Sequence, residues 1–261
     1  MLPNGTLAGK TALVTGGGTG LGKAMAIEFA RLGANVAIAG RKHDVLLEAE
    51  KEIAAHGNGT LALQLDVRRS DDVTAAIDAI VERFGALDIL VNNAAGNFIV
   101  PSLDLTPNGW RSVVEIVLSG TWFYSQSAAK AMIASGRGGS ILNIGATYAW
   151  TGNPGTVHSA CAKAGVLAMT QTLAVELAAK KIRVNLIAPG PIAETGAVAQ
   201  LWPSEDGAKR IVDAVPLGRI GERQEIANAA AFVVSDYAAF MTGACLVIDG
   251  GRWLGKGAFA K

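Results

Sequence analysis

Apolar residues in this chain fall into short runs separated by longer stretches of helical periodicity, and the alternation repeats along its length. Thr11–Thr15 (TALVT), Asn35–Gly40 (NVAIAG), Thr60–Asp66, Ile89–Asn92, Ile141–Ile144, Ile182–Ile187 and Ala244–Ile248 read as buried strands. Between them, KAMAIEFARLG after Gly22, Asp44–His56, Asp71–Phe84, the stretch from Pro107 to about Ser135, the Ala-rich stretch from Lys163 to Ala178, and Arg223–Ser235 read as helices. Strands separated by helices throughout predict an α/β fold: a single doubly wound parallel sheet of Rossmann type, with right-handed crossovers and helices on both faces. No linker, repeat or low-complexity tract interrupts the pattern, so residues 1–261 read as one domain. Residues from about 193 to 221 have weak periodicity and carry Pro203 and Pro216; they read as a flap over the substrate end.

Ligands in such sheets bind beyond the carboxyl ends of the strands, and those ends carry the distinctive residues. The first strand runs into GGGTGLG, a Gly16-x-x-x-Gly20-x-Gly22 turn that includes Gly18, Thr19 and Leu21. Glycines there let backbone N–H groups approach a pyrophosphate at a helix N-terminus. The second strand ends at Gly40, where an acidic residue would select NAD; Arg41 and Lys42 follow at once, which points to the 2′-phosphate of NADP(H). The bland alternative, two solvated charges, sits poorly at a helix start. Asp66, next to Val67, is placed to accept from an adenine amino group or to cap a helix. Small residues in VNNAAGN (Asn93, Ala94, Ala95, Gly96) and the loop Pro189-Gly190-Pro191-Ile192 allow close approach of a cofactor.

The segment Ser140–Gly165 carries the chemistry. It holds Tyr148 in a Gly/Thr/Pro-rich loop and Lys163 in the following helix. A lysine near a tyrosine is expected to favour tyrosinate and lower its pKa. The bland alternative is a strand–loop–helix connection with a surface Tyr and Lys.

Composition narrows the class. Half of the 261 residues are hydrophobic, 17% are charged, and the net charge is +1, which suits a packed domain and gives no field for nucleic acid or an acidic membrane. No apolar run approaches the roughly 20 residues that span a bilayer. Neither a signal peptide at MLPNGTLAGKTALV nor a peroxisomal address at the terminal AFAK is read, so cytoplasm is the expected compartment. Cys161 and Cys245 lack metal-ligand spacing and are expected to be small buried residues. His158 has no paired carboxylate nearby in sequence, and Ser159 has no nucleophile elbow around it. Trp122, Trp150 and Trp202 read as packing or interface residues.

Over essentially its whole length the chain resembles the short-chain dehydrogenase/reductase family. The motifs are Thr15-Gly16-x-x-x-Gly20-x-Gly22, Asp66, Asn92-Asn93-Ala94, Lys163, Asn185, Pro189-Gly190 and Asp249-Gly250-Gly251. The family's usual Ser, Tyr-x-x-x-Lys and helix Asn are not all present: Ala146 stands at the serine position, Ser159 at the tyrosine, Val117 at the asparagine. Only the lysine survives. Asn92–Phe98, Tyr148, Ser159-x-x-x-Lys163 and Ala188–Ile192 together resemble the 2,4-dienoyl-CoA reductase branch, bacterial members most.

That resemblance implies NADPH-dependent reduction of a fatty acyl-CoA diene to 3-enoyl-CoA in unsaturated fatty-acid β-oxidation. It implies that Tyr148 and Asn97 bind the thioester oxygen, that Lys163 holds the nicotinamide ribose, and that the protein is a homotetramer. Ser159 reads as a hydrogen-bonding residue of the site. Serine is too weak an acid to replace the ketone-reducing tyrosine, whereas a conjugated C=C needs only an oxyanion hole for the thioester oxygen. Lys209, Arg210 and Arg219 are candidates for the coenzyme A phosphates. Reduction of another acyl thioester or carbonyl, or a catalytically inactive NADP(H)-binding role, stay open alternatives.

Overall fold

The computed structural model describes residues 2–195 and 205–255. Seven parallel strands form one sheet in the order β3-β2-β1-β4-β5-β6-β7: β1 Thr11–Thr15, β2 Asn35–Gly40, β3 Thr60–Gln64, β4 Ile89–Asn92, β5 Gly139–Ile144, β6 Ile182–Pro189 and β7 Cys245–Ile248. The order runs outward one way from β1 to β3 and the other way from β4 to β7, so the crevice of a doubly wound sheet opens between β1 and β4.

Side-chain alternation assigns the two faces. Ala12 and Val14 of β1 join Met25 and Phe29 of α1 (Gly20–Arg31), Ile53 of α2 (His43–Ala54) and Ile226 of α9 (Arg223–Val234) on one face. Leu13 points the other way, to Ile77 of α3 (Ser70–Phe84), Tyr124 of α5 (Gly120–Ala134) and Leu173 of α7 (Val157–Leu177). Because both faces are covered, β1, β4 and all but the first residue of β5 are buried at every position, which is why the sequence shows them as unbroken apolar runs.

Most expected elements are present with shifted ends. The third strand stops at Gln64, leaving Asp66 in the loop beyond it. The long helical stretch is α4 (Pro107–Val114), a π-helical turn over Glu115–Ser119, and α5, capped at its start by Thr106, whose Oγ1 accepts from the Gly109 N–H at 3.1 Å. Tyr148 lies in a helical turn, α6 (Tyr148–Thr151), rather than in open loop. The expected flap contains α8 (Glu205–Ala214), a helix whose apolar face is too short to show as periodicity in the sequence. Residues 196–204 of the flap, with Trp202, and the terminal AFAK lie outside the described residues.

Candidate active site

The cofactor end is built where β1 and β4 part. Thr15 Oγ1 accepts from the N–H groups of Asn93 and Ala94 at 2.9 and 3.0 Å and donates to Val91 O at 3.3 Å, while Asn93 Nδ2 donates to Thr15 O at 2.9 Å. Behind them, Asn92 Nδ2 donates to Ser125 Oγ and Asn143 Oδ1, both at 2.9 Å, and Asn143 Nδ2 donates to Thr170 Oγ1 at 2.8 Å. These buried bonds tie β4 and β5 to α5 and α7. The turn after β1 reverses at Gly16 (φ 64°), and a Cβ on Gly20 would meet nothing within 4 Å. The Thr19 side chain does not cap α1, and no acidic residue sits in its first turn. The N-terminal N–H groups of α1 therefore remain for an anion.

A cleft of about 1050 Å³ runs over these strand ends. Gly16, Gly18, Thr19, Gly20 and Leu21 line it, as do Arg41, Lys42, Asp66 and Val67. Asn93, Ala94, Ala95, Gly96 and Asn97 follow from β4, and Pro189, Gly190, Pro191 and Ile192 from β6. Gly22 is the exception. It faces inward, where a Cβ would stand 2.2 Å from Gly16 O, so its place is in helix–turn packing. Neither Arg41 nor Lys42 has a salt-bridge partner among the described residues. Asp66 is gripped by Arg68, whose Nε lies 3.0 Å from both carboxylate oxygens; that bond, helped by the charge of Arg41, holds the carboxyl below its usual range.

At the reactive end the Tyr148 hydroxyl and Ser159 Oγ are 3.0 Å apart. Burial pushes the Tyr148 pKa up, and the Ser159 bond only partly offsets this. The expected lowering by Lys163 does not occur, because the Lys163 ammonium is given to Ile144 O, across the floor of the cleft. Burial lowers the Lys163 pKa to about 8. Asn97 Oδ1 accepts from the Phe98 N–H at 2.9 Å, which fixes the amide and leaves its N–H₂ as a donor with no partner among the described residues. Tyr148, Asn97, Ser159 and Lys163 thus line one cleft, with Ala146 beside them. Val117 is buried in the π-helical turn, its carbonyl accepting from Thr121 Oγ1 at 2.7 Å.

Other expectations fare differently. Cys161 is exposed and Cys245 half-buried, because α7 turns His158, Ser159, Ala162 and Lys163 inward and Cys161 out. His158 is fully buried against the Phe98 ring (4.5 Å between centroids), its nitrogens without partners among the described residues. Lys209, Arg210 and Arg219 do not line the cleft, and Arg219 is paired with Glu225 at 2.7 and 2.8 Å. The cleft is instead completed by Arg252 and Trp253, which the sequence reading missed. The Asp249 carboxylate accepts from the N–H groups of Gly251 and Trp253 at 2.9 and 2.7 Å and folds this turn onto the wall. The terminal Asp-Gly-Gly at a strand's carboxyl end was the available signal.

The family model described as "Enoyl-(Acyl carrier protein) reductase" matches residues 16–252, from the glycine turn that follows β1 to Arg252 beyond β7. This chain belongs to the short-chain dehydrogenase/reductase family. Family membership implies a nicotinamide cofactor, and the uncapped α1 N-terminus with its glycine turn fits one. A "Probable 2,4-dienoyl-CoA reductase [(2E)-enoyl-CoA-producing]" of Bacillus subtilis (strain 168) is 51% identical over 246 residues, 94% of this chain and 97% of the relative. A "Peroxisomal 2,4-dienoyl-CoA reductase [(3E)-enoyl-CoA-producing]" of Arabidopsis thaliana is 40% identical, over 95% of this chain and 86% of its own length. Among solved structures, a short chain dehydrogenase from Bacillus anthracis str. 'Ames Ancestor' superposes with a TM-score of 0.86 at 50% identity, covering 94% of this chain and 96% of that one. Within this short-chain dehydrogenase/reductase, the family's usual serine, tyrosine and asparagine positions hold Ala146, Ser159 and Val117.

Proposed function

We propose that this protein reduces 2,4-dienoyl-CoA thioesters to 3-enoyl-CoA with NADPH, in the β-oxidation of unsaturated fatty acids. The observation that carries this reading is the 3.0 Å contact between Tyr148 on α6 and Ser159 on α7. The phenol has left the position before Lys163 from which a ketone oxygen would be protonated, and a serine stands there instead.

Bound NADPH would supply hydride to the far carbon of the diene, C5. As it arrives, negative charge spreads to the thioester oxygen. Tyr148, kept neutral by burial, donates to that oxygen when Ser159 Oγ turns its own hydrogen toward the phenol oxygen. The oriented Asn97 amide supplies the second donor. Two donors fixed in place before the charge develops stabilise an oxyanion strongly. Lys163 holds the nicotinamide ribose. The α-carbon of the resulting dienolate, nearest the charged oxygen, takes its proton from water, which leaves the double bond at C3. A 2-enoyl product would need the proton at C4.

Arg41 and Lys42 beside Gly40 support NADP(H) over NAD, since they offer two cations and no carboxylate to the 2′ position. Gly16, Gly18, Thr19, Gly20 and Leu21 would surround the pyrophosphate, with Asp66 and Val67 at the adenine, and Asn93 to Gly96 and Pro189 to Ile192 along the nicotinamide half. We extend the proposal to a homotetramer in the cytoplasm. Apolar side chains left open on the long helices, Trp122 on α5 and Val175 on α7, support the assembly, and two unpaired cysteines suit a reducing compartment.

The test follows NADPH consumption with a 2,4-dienoyl-CoA and with acetoacetyl-CoA, for the wild type and Tyr148→Phe, and identifies the product by NMR. Turnover of the diene alone, to 3-enoyl-CoA and strongly reduced in the variant, is the expected result. Turnover of the ketone would mean another residue donates a proton. NADPH binding without turnover of either would favour a binding protein.

A further inference from the structure

Arg252 opens the 3-10 turn Arg252–Leu254 that follows β7 and lines the cleft. Its Nε is buried and has no hydrogen-bond partner, and no carboxylate forms a salt bridge with it, among the described residues. A buried donor left unpaired costs about 1–3 kcal/mol, more for a charged group, so an anion that accepts from it relieves that cost.

The cofactor cannot be that ligand through its adenosine phosphate. The cations suited to that phosphate, Arg41 and Lys42, follow β2. Along the sheet order β2-β1-β4-β5-β6-β7, that strand lies five spacings from β7, on the order of 24 Å at about 4.8 Å per strand. Arg252 also sits on the substrate side. The neighbouring Trp253 meets Trp150 of α6 edge-on with ring centroids 6.0 Å apart, which packs the turn against the helix that carries Tyr148. The turn is held in place by Asp249, so the guanidinium is presented from a fixed backbone.

We propose that Arg252 is a second anion-binding group of the cleft, serving the thioester substrate. It meets an anionic oxygen, supplied either by a coenzyme A phosphate or by a carboxylate at the far end of the acyl chain. The identity of the substrate rests on the function proposed above; the presence of the anion site does not.

The experiment compares wild type, Arg252→Gln and Arg252→Lys with three esters: a 2,4-dienoyl-CoA, the same acyl group on pantetheine, and a 2,4-dienoyl-CoA with a terminal carboxylate. Arg252→Gln should raise KM at least about tenfold for the ester whose anion it meets, the loss of one charge-assisted contact, with a far smaller change in kcat. Arg252→Lys should recover part of it. A rise for both coenzyme A esters but not for the pantetheine ester assigns the phosphate. A rise confined to the carboxylated ester assigns the acyl end. An unchanged KM for all three overturns the proposal. Should the wild type turn over no dienoyl ester, the proposed activity fails separately. Calorimetric binding of free coenzyme A and of adipate to the NADPH-loaded protein then decides: weaker binding of either to Arg252→Gln supports the anion site, and equal binding of both overturns it.

Discussion

The Tyr148 hydroxyl stands 3.0 Å from Ser159 Oγ, so the serine at the family's tyrosine position buttresses a tyrosine placed on another helix. The two residues should therefore contribute unequally. Tyr148→Phe removes an oxyanion donor and should lower kcat for the diene by about 10²- to 10³-fold. Ser159→Ala removes only the support, should lower kcat by about tenfold or less, and should push the Tyr148 pKa higher still, because that bond now lowers it. Steady-state kinetics and a phenol titration by ultraviolet absorbance check both.

Asn97 should act through its N–H₂, since its oxygen is already taken by the Phe98 N–H. Asn97→Asp places a carboxylate where an oxyanion must form, and should lower kcat further than Asn97→Ala does. Parallel assays of the two variants at pH 7 decide this. Equal losses would mean that the amide only shapes the loop.

Lys163 links stability to pH. Its folded pKa of about 8 lies below the ordinary 10.5, so between these values the unfolded chain binds the extra proton and stability rises with pH. The buried charge thus weighs against the fold at pH 7 by up to about 3 kcal/mol. Lys163→Met should lose NADPH affinity yet be no less stable at pH 7. Its stability relative to the wild type should fall as pH rises from about 8 to 10.5. Urea denaturation across that range tests the sign.

Arg41 and Lys42 should set cofactor choice. Replacing both by alanine should raise KM for NADPH at least about tenfold, the loss of charge-assisted phosphate contacts, and leave KM for NADH nearly unchanged. The ratio of kcat/KM for the two cofactors is the readout.

Gly22→Ala should damage the fold before it damages chemistry. A methyl group there would sit 2.2 Å from Gly16 O, which is backbone and cannot yield without moving the turn. A loss of about 1–3 kcal/mol is expected from overpacking, with NADPH binding weakened as the turn shifts. Thermal unfolding with and without NADPH separates the two effects.

The fold was legible because burial on both faces of a parallel sheet leaves short, mainly apolar runs for its central strands, and the crossover helices leave periodic ones between. Strand-end residues such as Gly16, Arg41, Asn93 and Pro189 could be assigned to one cleft from order alone, since all parallel strands deliver their carboxyl ends to the same edge. The substitutions at Ala146, Ser159 and Val117 were equally plain, because family positions are counted along the chain. What only the tertiary structure decided depends on through-space environment. Enclosure, rather than the nearby lysine, sets the direction of the Tyr148 pKa shift, and Lys163 is committed to Ile144 O. Helical rotation turns Cys161 outward and His158 inward. Packing takes Gly22 off the cleft, and the Asp249 turn brings Arg252 onto it, across a distance in sequence that no local pattern spans. Periodicity records which side of an element is buried; it carries no record of which distant charge or carbonyl will face it.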